Sequence, residues 1–216
     1  MIVNLSEQAS LASKFVKELR DINIQQDRLR FRTNLNRLGQ VLAYEISKTL
    51  SYETCQVQTP LATANEKNCT DNIVLATLLR AGLPFHQGFL DYFDNAGNAF
   101  ISAYRKHDSK GDFDIKLEYI SCPDLSDSVL IIVDPMLATG ASMDRTITAL
   151  EEYGKPKALY LVTAIASRTG LDFIKDKHPN AHIYMGALDE ELTAKAYISP
   201  GLGDAGDLAF GVKLQE

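Results

Sequence analysis

An uninterrupted apolar run at residues 129–133 leads directly into Asp134 and then into a loop of small residues. A run rich in Val and Ile is typical of a strand buried on both faces of a parallel sheet. Asp134 would then lie at the carboxyl end of that strand, where open α/β sheets bind their ligands. Residues 139–142 are Thr, Gly, Ala and Ser, so their backbone N–H groups can surround an anion at the start of a helix. The segment predicts a phosphate-binding loop with a carboxylate beside it.

A strand-to-helix turn without any ligand is the competing interpretation, because Ser142 is a good helix N-cap. The lead-in Asp-Pro-Met-Leu at 134–137 favours the functional interpretation. Uracil phosphoribosyltransferases carry Asp-Pro-Met-Leu-Ala-Thr-Gly-Gly-Ser after such a strand, and this segment resembles theirs except at Ala141. The resemblance implies that one continuous set of residues binds the donor 5-phosphoribosyl-1-pyrophosphate (PRPP): Asp134, Pro135, Met136, Leu137, Ala138, Thr139, Gly140, Ala141 and Ser142.

The departure at Ala141 can be judged from backbone energetics. An alanine forced to positive φ would cost on the order of 1–2 kcal/mol, whereas ordinary helical dihedrals would make the change nearly harmless. Because Ala141 stands at the start of a predicted helix, we expect helical dihedrals there.

A second motif lies at residues 197–207, Tyr-Ile-Ser-Pro-Gly-Leu-Gly-Asp-Ala-Gly-Asp. Its Gly-x-Gly-x-x-Gly pattern matches a dinucleotide fingerprint, but the carboxylate of Asp204 inside the loop would repel a pyrophosphate. Backbone groups of a glycine-rich loop can instead contact a flat heterocycle, and a ligand-free cluster of turns is the alternative. The segment resembles the uracil-binding loop of the same family. That resemblance implies uracil contacts for Ile198, Gly203, Asp204 and Ala205, with Asp204 also contacting PRPP.

Two arginines are candidates for binding the pyrophosphate. Arg80 follows a second apolar run at 73–79 and resembles the arginine of the family's pyrophosphate loop, although residues 84–85 depart from its usual Gly-Met. Arg105 stands in a hairpin predicted over 99–122, and it resembles the arginine of the family's Met-Tyr-Arg segment. Each could also be an ordinary solvated side chain. A hairpin able to close over the donor would exclude water from the reaction.

The resemblance implies transfer of a phosphoribosyl group from PRPP to uracil, which yields uridine monophosphate (UMP) and pyrophosphate. Asp134, Asp204 and Arg105 are the predicted catalytic residues. Asp134 would stabilise positive charge on the ribose, Asp204 would assist loss of the uracil proton, and Arg105 would stabilise the leaving group. Mg²⁺ is the expected cofactor, bound mainly through the pyrophosphate, and no metal site made by the protein alone is predicted.

The predicted fold class is α/β: a Rossmann-like phosphoribosyltransferase fold with a mostly parallel central sheet, flanking helices and a protruding β-hairpin arm. A single domain over 1–216 is expected. Residues 51–70 are polar and show no clear register. The predicted strands are 73–79, 128–133, 158–165 and 182–185, and the predicted helices are 7–20, 27–50, 83–93, 142–153 and 170–177.

The composition limits the classes of partner that we expect this chain to bind. The net charge is −6, without any run of Lys and Arg, which argues against a generic nucleic-acid binder. Three cysteines in no metal-binding pattern indicate reduced thiols. With neither a signal peptide nor an apolar span, we expect a cytoplasmic protein without a membrane partner. Uracil and PRPP are the expected ligands, a GTP effector follows from the resemblance, and a homodimer or larger assembly is expected.

Three alternatives remain open at this stage. An enzyme for another nucleobase would share 134–142 but should differ in 197–207. An RNA-binding pyrimidine-operon regulator on the same fold would need a basic face. A catalytically weakened paralogue fits the departures at 84–85, 106–107, 141 and 168–169.

Overall fold

The computed structural model of the protein describes residues 1–107 and 113–214, and it describes side chains outside 103–117. The strands are β1 (Ile2–Asn4), β2 (Tyr52–Gln58), β3 (Thr63–Cys69), β4 (Ile73–Leu79), β5 (Gly97–His107), β6 (Phe113–Ser121), β7 (Val129–Val133), β8 (Met136–Leu137), β9 (Ala158–Ser167), β10 (His182–Asp189), β11 (Glu191–Leu192) and β12 (Ile198–Ser199). The helices are α1 (Leu11–Arg20), α2 (Arg28–Ser47), α3 (Leu83–Leu90), α4 (Ala141–Leu150), α5 (Arg168–Lys177) and α6 (Ala205–Phe210).

The central sheet has the strand order β1-β10-β9-β7-β4-β5-β6, with β8 also paired to β9. Every neighbouring pair in this order is parallel except β5 and β6. The carboxyl ends of β4, β7 and β9 therefore lie along one edge of the sheet, and the segments that follow β4 and β7 meet there. The predicted α/β architecture with a mostly parallel sheet is confirmed.

Strand β7 shows why this chain forms a sheet covered on both faces. Val129, Ile131 and Val133 point into one hydrophobic cluster, together with residues of α1, α2, α3 and α6. Leu130 and Ile132 point into a second cluster, together with residues of α4 and α5. Because side chains alternate between the two faces of a strand, a strand buried on both must be apolar throughout. Burial of each such side chain contributes on the order of 1.5–3 kcal/mol.

The predicted hairpin over 99–122 is also confirmed as an arm. Strand β5 pairs with β4 only as far as the register Leu79↔Ser102. Beyond that point β5 continues to His107, paired antiparallel with β6. The two strands therefore extend past the carboxyl end of β4. Residues 108–112, between these strands, lie outside the described residues.

The polar segment 51–70 forms a second antiparallel hairpin, from Tyr52↔Cys69 to Gln58↔Thr63. Most of its side chains are exposed on both faces, so the sequence lacks the alternation by which a half-buried strand is recognised. A turn in which the N–H of Thr59 donates to the carbonyl of Ala62 (2.8 Å) closes the hairpin.

The predicted helices and strands are otherwise found with shifted ends. Helix α1 begins at Leu11, and β10 continues to Asp189 beyond the predicted 182–185. The short elements β1, β8, β11, β12 and α6 were not predicted, because two to six residues carry too little periodicity. Among the helices of the described residues, none is long and apolar enough to cross a membrane.

Candidate active site

A cavity of about 210 Å³ opens at the carboxyl edge of the sheet. Two segments line most of it: the donor loop, residues 135–142, and the base loop, residues 196–206. The two motifs singled out in the sequence are therefore the opposite walls of one cleft. The lining residues are Ala81, Asp134, Met136, Leu137, Ala138, Thr139, Gly140, Ser142, Met143, Ala196, Tyr197, Ile198, Gly203, Asp204, Ala205 and Gly206.

Within the donor loop, the left-handed residue Gly140 directly precedes Ala141, the first residue of helix α4. Gly140 is the N-cap, with φ of 85°, and it can supply no side-chain cap. Thr139 Oγ1 accepts from the N–H of Ala141 at 3.4 Å. The first turn of α4 thus borders the cleft without a cap from Gly140, which suits an anion at the positive end of the helix dipole.

The expectation for Ala141 is confirmed, since it is the first residue of α4 and takes no positive φ. The residue that must adopt a positive φ is Gly140. A Cβ there would lie 2.6 Å from Cδ1 of Phe173, in a backbone conformation that favours glycine.

Helix α5 supports the donor loop from behind. A Cβ on Gly170 would lie 2.3 Å from the carbonyl oxygen of Ala138, so only glycine allows this close packing. Ser167 donates from Oγ to that same carbonyl, and its Oγ accepts from the N–H of Gly170 at 2.9 Å. Ser167 is the N-cap of α5. In this segment, which departs from the family's usual sequence, Ser167 therefore joins α5 directly to the donor loop.

Two donor-loop residues lie outside the cavity lining. Pro135 does not line the cavity; its carbonyl accepts from the N–H groups of Ala164 (3.1 Å) and Ile165 (3.0 Å) of β9. Ala141 also lies outside the lining, although its neighbours Gly140 and Ser142 belong to it. The loop is thus fastened to the strand beside it, and the rest of its residues face the cleft.

Asp134 lies in the cleft immediately after β7. Its N–H donates to the carbonyl of Val162 at 3.0 Å, and its Oδ1 accepts from the N–H of Met136 at 3.4 Å. The side chain is partly buried, and desolvation raises the pKa of this carboxyl to about 7. Positive charge brought near a desolvated carboxyl stabilises its ionised form.

The base loop brings together the four residues for which the resemblance implied uracil contacts: Ile198, Gly203, Asp204 and Ala205. Asp204 is the N-cap of α6, and its Oδ1 accepts from the N–H of Asp207 at 3.0 Å. Gly203 has φ of 98°, a conformation that an L side chain rarely adopts. The loop therefore presents backbone groups and one carboxylate opposite the donor loop.

Arg80 lies outside the cavity lining. Its Nη2 donates to Asp207 Oδ1 at 3.3 Å and to the carbonyl of Gly211 at 3.2 Å, and its side chain is 43% exposed. The guanidinium thus bridges the end of β4 to α6. Arg105 pairs with Ile115 in the hairpin arm, and its side chain lies outside the described residues.

Five residues of the lining were not among the predicted site residues: Ala81, Met143, Ala196, Tyr197 and Gly206. Their one detectable signal is adjacency, since each lies in or next to a segment that the motifs had marked. Ala196 additionally has φ of 59°, unusual for a residue with a Cβ.

Comparisons with known proteins identify the family of the chain. A family model for uracil phosphoribosyltransferase matches residues 6–212. A uracil phosphoribosyltransferase of Porphyromonas gingivalis is 51% identical over 99% of each chain, and one of Thermococcus gammatolerans is 38% identical over 97% of this chain and 93% of the relative. The solved AQ2163 protein of Aquifex aeolicus is 32% identical, with a TM-score of 0.88 over 100% of both chains. The chain therefore belongs to the uracil phosphoribosyltransferase family.

Proposed function

We propose that this cleft transfers the phosphoribosyl group of PRPP to uracil, releasing pyrophosphate and forming UMP for pyrimidine salvage. One observation carries the proposal: a loop suited to a phosphate and a glycine-rich loop suited to a flat base line the same cavity. A reaction that joins a ribose 5-phosphate to a base needs both walls within one molecule's length of each other.

The donor loop binds the 5′-phosphate of PRPP. Backbone N–H groups at the start of α4 donate to the phosphate oxygens, and the hydroxyls of Thr139 and Ser142 add further donors. The ribose then extends from the phosphate towards Asp134, which immediately precedes the donor loop.

Asp134 stabilises the transition state electrostatically. As the bond between ribose and pyrophosphate breaks, positive charge develops on the sugar in an oxocarbenium-like state. Because desolvation raises the pKa to about 7, part of the ligand-free carboxyl population is protonated at neutral pH. Developing positive charge favours its ionised form, so Asp134 interacts more strongly with the transition state than with the substrate.

The base loop orients uracil so that its reacting ring nitrogen faces the ribose. Main-chain groups near Ile198 and Gly203 match the two carbonyl oxygens and the N–H of uracil. Asp204 is the carboxylate on this wall, and it accepts the proton that the ring nitrogen loses on forming the new bond.

Mg²⁺ is proposed as the cofactor. Among the described residues, no group of three or more His, Cys, Asp or Glu side chains forms a metal site. The carboxylates that line the cleft, Asp134 and Asp204, suit a metal ion that arrives with pyrophosphate oxygens as its other ligands. When bound, Mg²⁺ neutralises negative charge on the leaving pyrophosphate. We assign Arg80 and Arg105 to the same charge.

The test is direct. The purified full chain is supplied with PRPP, Mg²⁺ and uracil, and UMP formation is followed by chromatography. Parallel reactions contain cytosine or hypoxanthine, or omit Mg²⁺, and RNA binding is measured separately. We expect turnover with uracil alone and only with Mg²⁺. Absence of UMP, or faster turnover of another base, would contradict the proposal.

Three further proposals concern the cellular location of the protein, its assembly and an effector. We place the reaction in the cytoplasm, which agrees with the free thiols of all three cysteines. We propose a homodimer or larger assembly, to be measured by sedimentation, since Tyr44, Tyr52 and Leu61 are exposed apolar side chains. We propose GTP as an effector, to be tested by adding GTP to the UMP assay.

A further inference from the structure

Arg20, the last residue of α1, forms a closed network with the base loop. Its Nη1 and Nη2 donate to Asp189 Oδ2 (2.7 Å) and Oδ1 (2.8 Å). The same Nη1 donates to the carbonyl of Gly201 at 3.0 Å. The N–H of Gly201 donates to Asp189 Oδ2 at 2.9 Å. Both backbone polar groups of Gly201 are therefore held by one ion pair.

The network holds the base loop at a point between two residues that line the cleft. Ile198 and Gly203 line the cleft on either side of it, whereas Arg20 and Asp189 do not. Gly201 has φ of 57°, and a Cβ there would lie 2.1 Å from the carbonyl oxygen of Ile198. The chain thus turns tightly at Gly201, and the ion pair fastens that turn from behind the base-binding surface.

The chemistry of the pair suits a rigid support. Asp189 is only 7% exposed, and a buried carboxylate needs a fully hydrogen-bonded partner. Arginine provides a fixed planar fork that bonds both carboxylate oxygens and still reaches a third acceptor, whereas the ammonium group of lysine lacks this geometry. Replacing either residue therefore changes geometry even where charge is kept.

We propose that Arg20 and Asp189 are positioning residues that set the shape of the base loop, and thereby the selection of uracil over other pyrimidines. The proposal rests on the proposed function. Uracil and thymine differ by one methyl group at ring carbon 5, so discrimination between them depends on the fixed position of the main chain around the base. Neither residue is a catalytic residue, since neither lines the cavity.

The test uses Arg20→Lys in the full chain, with Arg30→Lys as the matched control. Arg30 also forms a two-bond ion pair, donating to Glu18 Oε2 (2.7 Å) and Oε1 (2.9 Å) between α2 and α1, but none of these bonds reaches the base loop. Steady-state kinetics with uracil, thymine and PRPP are measured for both variants, together with thermal unfolding. Amide hydrogen exchange of residues 198–203 is measured on the same samples.

For Arg20→Lys we expect the KM for uracil to rise about ten-fold, the KM for PRPP to stay within about two-fold, and the preference for uracil over thymine to fall. Amide exchange at residues 198–203 should accelerate. Arg30→Lys should lower thermal stability without changing the KM for uracil. Asp189→Asn, which keeps an acceptor for Gly201 but removes the charge, should resemble Arg20→Lys.

Several results would overturn the inference. One is an unchanged uracil KM and thymine preference in both Arg20→Lys and Asp189→Asn. Another is an equal rise in the KM values of uracil and PRPP, which would indicate a general structural role. A wild-type chain that makes no UMP would instead contradict the proposed function, and loop exchange rates would still test the support of the base loop by Arg20.

Discussion

The two walls of the cleft are fastened by contacts of very different range. The donor loop is bound to its neighbours in the sheet: the carbonyl of Pro135 accepts from β9, and that of Ala138 accepts from a serine 29 residues away. The base loop is bound through Gly201 to Arg20, which is 181 residues away. The donor wall is thus part of the βαβ framework, whereas the base wall is held by a side-chain network. Substitutions in the donor wall should disturb catalysis and stability together, whereas substitutions behind the base wall should act chiefly on the binding and selection of the base.

The largest expected loss of activity distinguishes Asp134 from Asp204, the two carboxylates that line the cleft. Asp134→Asn removes the charge proposed to stabilise the ribose cation, and we expect kcat to fall about 100- to 1,000-fold. Asp204→Asn keeps an N-cap side chain for α6, so its loss of activity should be smaller. The measurement is UMP formation at saturating substrates. A larger fall in kcat for Asp204→Asn than for Asp134→Asn would contradict the proposed roles of the two carboxylates.

Asp134→Asn also carries a stability signature that a damaged fold would not show. The carboxyl has a pKa of about 7 in the folded protein and 3.8 as a model compound. The folded state therefore binds more protons between these values, and its stability falls as pH rises through this window. The variant lacks this penalty, so without ligands it should exceed the wild type by about 1–3 kcal/mol at pH 8 and match it near pH 4. Denaturant unfolding at both values measures the difference.

The second prediction compares a glycine from each wall. Gly140→Ala would strain a positive φ and force Cβ to 2.6 Å from Phe173, so we expect a loss of about 2–3 kcal/mol and a rise of 30-fold or more in the KM for PRPP. Gly203→Ala also meets a positive φ, but its Cβ would lie 3.8 Å from Leu208 Cδ1. It should cost about 1–2 kcal/mol and raise chiefly the KM for uracil. If both variants raised the KM for PRPP and the KM for uracil equally, the two walls would not bind separate substrates as proposed.

The third prediction concerns Arg80, which bridges the end of β4 to α6. Arg80→Ala should raise the KM for PRPP about ten-fold, because the guanidinium is proposed to bind pyrophosphate. Arg168→Ala is the matched control: Arg168 is 46% exposed, and its Nη2 donates to Glu190 Oε1 at 3.0 Å. That variant should leave both KM values unchanged. A ten-fold rise in the uracil KM alone for Arg80→Ala would show that Arg80 serves the base wall through Asp207.

The same contrast explains how much could be predicted from the sequence. Strand β7 and the helical conformation of Ala141 follow from neighbours within a few residues, and these expectations agree with the structure. The N-cap is Gly140, however, and not Ser142, so α4 begins one residue earlier than predicted. The network at Gly201 joins residues 169 and 181 positions apart, and no local pattern encodes such a contact. The raised pKa of Asp134 likewise depends on burial by the folded chain.

Other differences have equally physical causes. Hairpin β2–β3 exposes both faces, so its sequence shows no apolar alternation. The direction of Arg80 depends on where α6 packs, since the acceptors Asp207 and Gly211 are fixed only in the folded protein. Local sequence therefore determined the backbone of the cleft better than its side-chain partners.

The smallest expected effect tests whether the family's second glycine is needed in the donor wall. Ala141→Gly restores that residue at the first position of α4, where alanine already has helical dihedrals. Glycine should cost up to about 0.5–1 kcal/mol through its greater freedom in the unfolded chain, with kcat and the KM for PRPP within about two-fold of wild type. Thermal unfolding and UMP kinetics measure both. A marked gain in turnover would mean that Ala141 restrains the donor loop, and would support a weakened enzyme. An unchanged rate would show that the donor loop requires glycine at position 140 and not at position 141. Alanine cannot adopt the conformation of Gly140 without strain.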